Sequence, residues 1–522
     1  MAAIVSQRRG RRVRPDVLQK PRGVIHPRVA AAGPEHFGIV AVDCAKARSK
    51  WMLVDFYGKV LVQPVMVEHD RGGFEAAIAA LRSAMKTSDI RDLIVAVERT
   101  GRYHHPPSRA FAAGGFEVRT VHPFTTKQFR QPADPGNKTD DTDLAAISRS
   151  AINGFALAEP RLDEFWRQFQ LLVRHRRDLV RKASLLCCQI KEHLEAALPG
   201  YAACFPTLWE HPAAMTLALR VGGAEAIMQT SVVQLRDVLN KAGVGFQQRT
   251  IERVRQWAAT AAAPDAAAAH HRRIAADLEA DRQRKELEIQ GLERETAALL
   301  VRTPYVLLMS IPGINVVSAA EYAAEMGPMG NYANARCITG RAGLYPSRHQ
   351  SDQVDYRGPM VRCANRRLRF ALMQIADNLA TCNRYFAKLN RTWREAGADP
   401  RLIRVRIAMR FSRISFQMVA GGSVFNHPAA QQRDYILRKL ITFHHQHQTP
   451  ALAVQRDLQH AGRQLPAGAC AAEARPLQEE LNRMQESRRR GPVPLGEILQ
   501  VVLAQLAART IQSPPSGKSD PT

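Results

Sequence analysis

From Phe37 the chain falls into short apolar runs set apart by tight turns, and this pattern constrains the fold more than any other feature. FGIVAVD ends in Asp43, KWMLVDF follows, and after the turn at Tyr57-Gly58 comes KVLVQPVMV. Runs of this length, rich in Val and joined by short connections, predict three strands in an antiparallel meander. GGFEAAIAALRSAM then repeats its apolar residues at helical spacing. DLIVAVE reads as a buried strand ending in Glu98, a further helix is expected around residues 104–113, and EVRTVHP supplies another strand. A loop with prolines and glycine follows, and a helix opens at Asp140.

The order βββαβαβα is that of the RNase H-like (RuvC-like) α/β fold, in which a mixed sheet carries helices on both faces. That order gives four acids a common destination. Asp43 ends the first strand, and Glu98 ends the fourth, which lies beside the first in such a sheet. Asp140 and Asp143 open a helix, where i, i+3 spacing sets both on one face. Carboxylates converging there can hold two divalent ions about 3.5–4 Å apart for phosphoryl transfer, and all-oxygen ligation suits Mg²⁺. Singly, three of these acids have plainer explanations. Asp140 suits an N-cap after Lys138-Thr139, Asp143 suits the positive end of a helix dipole, and Asp43 suits a solvated strand end. Glu98, directly after IVAV, resists such a reading, and the four together favour a metal site. Asp141 is one residue out of register and competes with its neighbours for a place in it.

The charge balance says what such a site would act on. Lys and Arg outnumber Asp and Glu by 74 to 48, a net charge of +26, which calls for a polyanionic partner such as nucleic acid. No lipidation signal, amphipathic basic anchor or signal-peptide h-region is present, and no apolar run approaches the ~20 residues of a membrane span. The eight cysteines form no CxxC pair, and the neighbours Cys187 and Cys188 suit a helix core better than redox chemistry. A cytoplasmic setting is expected.

The 522 residues leave room for about three to four domains. Residues 1–36, with Arg8, Arg9, Arg11, Arg12 and Arg14, read as a flexible basic arm, and 37–158 as the α/β domain. Residues 159–302 read as a helical, coiled-coil middle region. Within it, 161–196 and 270–300 carry near-heptad apolar spacing suited to long paired helices and dimerisation, and 200–265 show no legible fold. Residues 303–425 form a mainly α domain, and 426–522 a C-terminal extension expected to be partly disordered, with a helix at 494–510. His444, His445 and His447 are expected on a solvated loop rather than around a metal.

Two segments of the mainly α domain carry chemistry. LLMSIPGINVVSAAEYAAEMG, with its turn at Pro312-Gly313, has the form of a helix–hairpin–helix whose backbone N–H groups can bind a phosphate, although an ordinary helical turn explains it nearly as well. In ITGRAGLYPSRHQSDQVDYRGPMVRCANRRLRFAL, Ser347 and Ser351 fall in a loop among Arg348, Arg357, Arg362, Arg366, Arg367 and Arg369. A serine hydroxyl can attack a DNA phosphate when cations clamp the developing charge, and arginine suits that clamp. Without a motif, a polar loop and a solvated basic helix are the better explanation of the segment.

VD…VAVERTGRY…NKTDDTDLAAI and IPGI…AGLYPSRHQS…RG…NRRLR, in that order on one chain, resemble the transposases of the insertion sequence 110 family, the DEDD–serine recombinases. The resemblance covers roughly residues 37–158 and 303–420. It implies Asp43, Glu98, Asp140 and Asp143 as Mg²⁺ ligands in a domain similar to Holliday-junction resolvases. It implies Ser351, aligned with the family's Gln-Ser-Gly serine, as the nucleophile, with Ser347 in second place. It further implies cutting and rejoining of element and target DNA, guidance by a structured non-coding RNA, and a homo-oligomer pairing acids and serine from different subunits. Asp352 stands where the family has glycine, a negative charge beside a group meant to attack phosphate. Two alternatives remain open: a water-using junction nuclease, and a nucleic-acid-binding relative without catalysis.

Overall fold

The computed structural model describes residues 23–131, 136–158, 163–205, 207–351, 354–425 and 435–466. The chain divides into two units, residues 1–161 and 162–522. The first is a mixed α/β unit and the second is mostly helical, as the sequence predicts.

The first unit is built on a five-stranded sheet of order β3-β2-β1-β4-β5. Its strands are β1 (Phe37–Cys44), β2 (Arg48–Asp55), β3 (Val60–Glu68), β4 (Asp92–Glu98) and β5 (Val118–Val121). The meander β1–β2–β3 is antiparallel, while β4 runs parallel to β1 and β5 parallel to β4. Helices cover both faces: α1 (His26–Ala32), α2 (Arg71–Thr87), α3 (His105–Ala113), α4 (Pro123–Arg130) and α5 (Asp140–Ile152).

Strand parity sorts the core. Phe37, Ile39, Ala41, Met52, Val54, Ile94 and Ala96 pack with Leu144 and Ile147 of α5 and with Ile25 and Val29 beside α1. Val40, Val42, Trp51, Leu53, Val95 and Val97 pack instead with Ala77 and Leu81 of α2 and with Phe111. Successive strand side chains point to opposite faces. The residues that continue the α5-facing sets past Ala41 and Ala96 are therefore Asp43 and Glu98.

Two readings of this unit need correction. The basic arm ends earlier than expected, because residues 23–36 belong to the fold. Ile25 is fully buried, and Arg28 donates from Nε to Asp92 (2.8 Å) and from Nη2 to the Leu93 carbonyl (3.0 Å). Residues 1–22 lie outside the described residues. The supposed loop before Asp140 also contains a helix, α4, which starts with Pro123 at its first position, where a missing N–H costs nothing.

The second unit has a spine of two long helices, α6 (Glu164–Ala197) and α11 (Ala268–Leu300), packed side by side. Between them lie α7 (Pro212–Arg220), α8 (Ala224–Gln229), α9 (Val232–Lys241) and α10 (Gln248–Thr260). These bury Tyr201, Leu217, Leu235, Ile251 and Trp257 in a core of their own, which the unreadable stretch 200–265 concealed.

At the other end of the spine, Trp166, Phe169 and Leu300 join a larger core. It is built from the 3-10 segment Pro304–Ser310, α12 (Val316–Met326), α13 (Ala335–Ala342), α14 (Arg366–Cys382), α15 (Arg384–Glu395), α16 (Pro400–Gly421), α17 (Tyr435–Gln446) and α18 (Ala451–Gln464). The described part of the supposed C-terminal extension, 435–466, thus belongs to this core through Ile436, Leu440, Val454 and Leu458. The expected helix at 494–510 lies outside the described residues.

Candidate active site: a carboxylate cluster and a serine-bearing hairpin

The register of β1 on β4 pairs Val42 with Val97, so Asp43 and Glu98 emerge side by side on the face covered by α5. Thr139 caps α5: its hydroxyl accepts from Thr142 N (3.2 Å), and the Thr142 hydroxyl accepts in return from Thr139 N (2.9 Å). The cap is therefore not Asp140, which is left available at the first helical position. Asp143, one turn on, is buried.

Asp43 feels the other three acids electrostatically. Burial raises the Asp43 pKa, and the charges of Asp143 and Asp140 raise it further. Burial, then Asp43 and Asp143, push Glu98 up to about 7. A hydrogen bond shared between Glu98 and Asp43 leaves the proton with Glu98, lowering one pKa and raising the other. Asp141 points elsewhere: Lys50, the cross-strand partner of Asp43, holds its carboxylate at 2.5 Å. That pairing engages Asp141 with Lys50 rather than with the other acids.

The donor set is all oxygen, and its mutual repulsion suits a divalent cation. As the side chains stand, no three His, Cys, Asp or Glu among the described residues converge as they would around one ion. Arg130 at the end of α4 is ion-paired through Nη1 with Asp143 Oδ1. Sequence reasoning missed Arg130 because it missed α4. Proline at a first helical position and Lys127 and Arg130 in the last turn were the available signals.

A pH dependence follows from Glu98. Its carboxyl is raised in the fold, so its contribution to stability is fully present below its ordinary value near 4.5 and is lost as pH rises through about 7. In metal-free protein, Glu98→Gln is expected to remove that loss. Melting temperatures of the two proteins should coincide near pH 4.5 and diverge in favour of the variant toward pH 7.5. Parallel curves would contradict the burial and repulsion described here.

In the second unit the serines lie on a β-hairpin rather than a loop, formed by β6 (Pro346–Ser351) and antiparallel β7 (Val354–Met360). Ser351 ends β6 at the tip, with its side chain exposed. Asp352 lies outside the described residues. The Ser347 hydroxyl donates to the Pro359 carbonyl (3.0 Å), a tie within the hairpin. Ring stacking of His349 on Tyr356 and a fork from Arg348 to Asp355 (2.7 and 2.8 Å) brace the two faces.

The expected nucleic-acid-binding arginines separate. Arg362, Arg366 and Arg367 are exposed around the start of α14, and Arg357 lies on β7 opposite Arg348. Arg369 turns inward instead, donating to the carbonyls of Ala342 (2.8 Å) and Val361.

Two other expected features are packed inward. The Pro312-Gly313 turn lies between buried Ile311 and Ile314, and the carbonyls around it accept from within. Asn383 donates to Pro312 (3.1 Å), and Lys439 Nζ donates to Met309 (2.8 Å), Ile311 (2.9 Å) and Ile314 (2.5 Å). The three histidines are not a solvated group either. His444 is buried near Asp457 (3.7 Å), and His447 pairs with Glu293 at 2.6 Å. Cys187 and Cys188 lie on α6, the first half-buried and the second exposed.

Comparison with known families agrees with this two-part layout. A transposase model of the DEDD, insertion sequence 110 type matches residues 40–199, from β1 through α6. A second, the transposase IS116/IS110/IS902 family, matches residues 305–391, which include the hairpin and α14. No curated protein matches the chain. The paired matches define a DNA transposase, an enzyme of DNA recombination whose partner is DNA. Within that class the chain belongs to the insertion sequence 110 family. Among the described residues, no helix is long and apolar enough to cross a membrane.

Proposed function

We propose that this transposase cuts and rejoins DNA through a covalent serine intermediate, with Asp43, Glu98, Asp140 and Asp143 holding divalent ions, Mg²⁺ by the chemistry of the donor set. The observation that carries the reading is the pairing of Asp43 and Glu98 on the sheet face covered by α5, with Asp140 and Asp143 close enough for their charges to act on Asp43. The strand order and parallel β1–β4 pairing support an RNase H-like, resolvase-like domain. Bound ions would lower the barrier by neutralising charge on the phosphate and on the leaving oxygen.

The chain's own groups supply the rest. Ser351 Oγ loses its proton and attacks phosphorus, the bond from phosphorus to the leaving sugar oxygen breaks, and that oxygen takes up a proton. Attack on the phosphoserine by a sugar hydroxyl of the other strand reverses these steps and releases the serine. Exposed Arg362, Arg366 and Arg367 seat the DNA backbone, with Arg348 and Arg357 on the hairpin beside the serine. Arg369 serves by fixing the α13–α14 junction. The α6–α11 pair acts as a coiled-coil-like oligomerisation spine, and a structured RNA accounts for part of the excess positive charge.

A nuclease reading keeps one point in its favour: all four acids lie in the first unit and Ser351 in the second. The test is incubation with Mg²⁺, the element's RNA and end-labelled junction DNA, followed by a denaturing gel. A protein–DNA adduct lost in Ser351→Ala is the expected result. Free cleaved DNA in both proteins would replace the serine with water as nucleophile.

A further inference from the structure

One cation already sits in the carboxylate cluster, and it belongs to the chain. Arg130 and Asp143 form an ion pair whose side chains are 14% and 8% exposed. They flank the connection from α4 to α5, so the pair ties both ends of the segment that delivers Asp140 and Asp143 to the sheet. An arginine fork matches a carboxylate and a phosphate equally well, because both present paired oxygens.

We propose that Arg130 is a resident counter-cation of this site. It holds Asp143 while no divalent ion is bound, yields it to an arriving ion, and its freed guanidinium then binds a phosphate of the DNA being cut. The inference rests on the metal-site reading above. The physical argument is competition. Asp143 adds to the repulsion acting on both Asp43 and Glu98, and positive charge placed on Asp143 relieves it. Arg130 supplies one such charge and occupies Asp143 in doing so. Any divalent ion that takes Asp143 as a ligand must first break this pair, and breaking it leaves a poorly solvated guanidinium. A phosphodiester is the anion the protein handles, and it restores the lost partner. Ion and DNA should therefore assist each other's binding through Arg130, and such coupling is reciprocal.

A purely structural salt bridge makes the opposite forecast, because removing Arg130 would loosen the site and weaken metal binding. Mn²⁺ titration of the full chain, followed by electron paramagnetic resonance of free Mn²⁺, separates the two. Arg130→Gln is expected to bind Mn²⁺ roughly tenfold more tightly than wild type in the absence of DNA. Arg130→Lys, which keeps the charge without the fork, should fall between them and guards against a folding defect in the glutamine variant. Fluorescence anisotropy with a short duplex supplies the second readout. At saturating Mn²⁺, Arg130→Gln should bind DNA several-fold more weakly than wild type, whereas without metal the two should bind alike.

Equal or weaker Mn²⁺ affinity in Arg130→Gln, with wild-type binding intact and abolished by Asp43→Asn, would overturn the counter-cation role alone. No Mn²⁺ binding by either protein would refute the metal site and this inference with it. Tighter Mn²⁺ binding without the metal-dependent loss of DNA affinity would confine Arg130 to the carboxylate.

Discussion

Asp43→Asn is expected to abolish DNA strand cleavage while making the metal-free protein more stable. The two effects have one cause. Asp43 is held on the α5 face by β1, partly buried, and pushed up in pKa by burial and by the charges of Asp143 and Asp140. Removing its charge relieves repulsion that only a cation or a proton otherwise relieves. Asparagine has nearly the same shape and leaves the packing of Ile39, Ala41 and Ile94 untouched. A gain of about 0.5–2 kcal/mol is the usual size when a strained functional site is neutralised. On the functional side, the variant loses a charged ligand at the point where phosphate charge develops. Single losses of this kind cost roughly 10²–10³-fold or more in rate. Strand cleavage on a junction substrate and thermal melting without divalent ions measure the pair. A variant that loses activity and stability together would mean that Asp43 serves the fold and not the site.

That strand could be read because its signal is dense. FGIVAVD has one parity for each face, and the polar residue that breaks the pattern is the one the structure sets against α5. The same holds for DLIVAVE and Glu98. Of the two long helices, α6 keeps an apolar period along its 34 residues, whereas α11, with 33, was legible from its length and helix-forming composition and buries Glu279 and Arg282 mid-helix. Short elements were lost. Helix α4 has eight residues, and its two aromatic side chains, Phe124 and Phe129, are too few to mark a helical period in PFTTKQFR, with Phe124 exposed. Helix α1 has seven, hidden in an Arg- and Pro-rich stretch whose buried apolar side chains among the described residues are Ile25 and Val29. The serine hairpin reads as a loop because nearly all of β6 is exposed and no apolar alternation marks it. The inward packing around the Pro312-Gly313 turn is hidden for another reason. What packs over a turn is set by distant chain, and Lys439 reaches the carbonyl of Ile311 from more than 100 residues downstream. Local sequence holds no record of that partner.

The same kind of long-range dependence makes Glu325 the residue whose loss should most damage the second unit. It is almost fully buried on α12 and holds three donors: Arg174 Nε (2.7 Å) and Nη2 (2.9 Å) from α6, and Asn365 Nδ2 (3.1 Å). Burial alone would raise its pKa, but the Arg174 fork and Asn365 more than offset this and leave the carboxyl below its ordinary value. Asn365 in turn caps α14, its Oδ1 accepting from the backbone N–H of Arg367 (3.1 Å) and Leu368 (3.0 Å). Glu325 therefore orients the amide that starts the helix carrying Arg366 and Arg367. Glu325→Ala leaves the partly exposed Arg174 guanidinium without its carboxylate and frees the cap, and loss of hydrogen bonds to a charged group costs about 1.5–3 kcal/mol. Urea unfolding at pH 7.5 should show this as a lower midpoint. The sign of the pH dependence is fixed by the depressed pKa: the stabilisation is present above the ordinary carboxylate value and is lost as pH falls through the lower, folded one. The wild-type advantage should accordingly shrink on the acid limb. Arg174→Met combined with Glu325→Leu removes both charges and should recover most of the stability. DNA affinity should stay reduced in that double variant, because Asn365 still lacks the acceptor that aims the cap of α14. Recovery of stability and DNA affinity together would show that Asn365 holds its place without Glu325, and that the network serves packing alone.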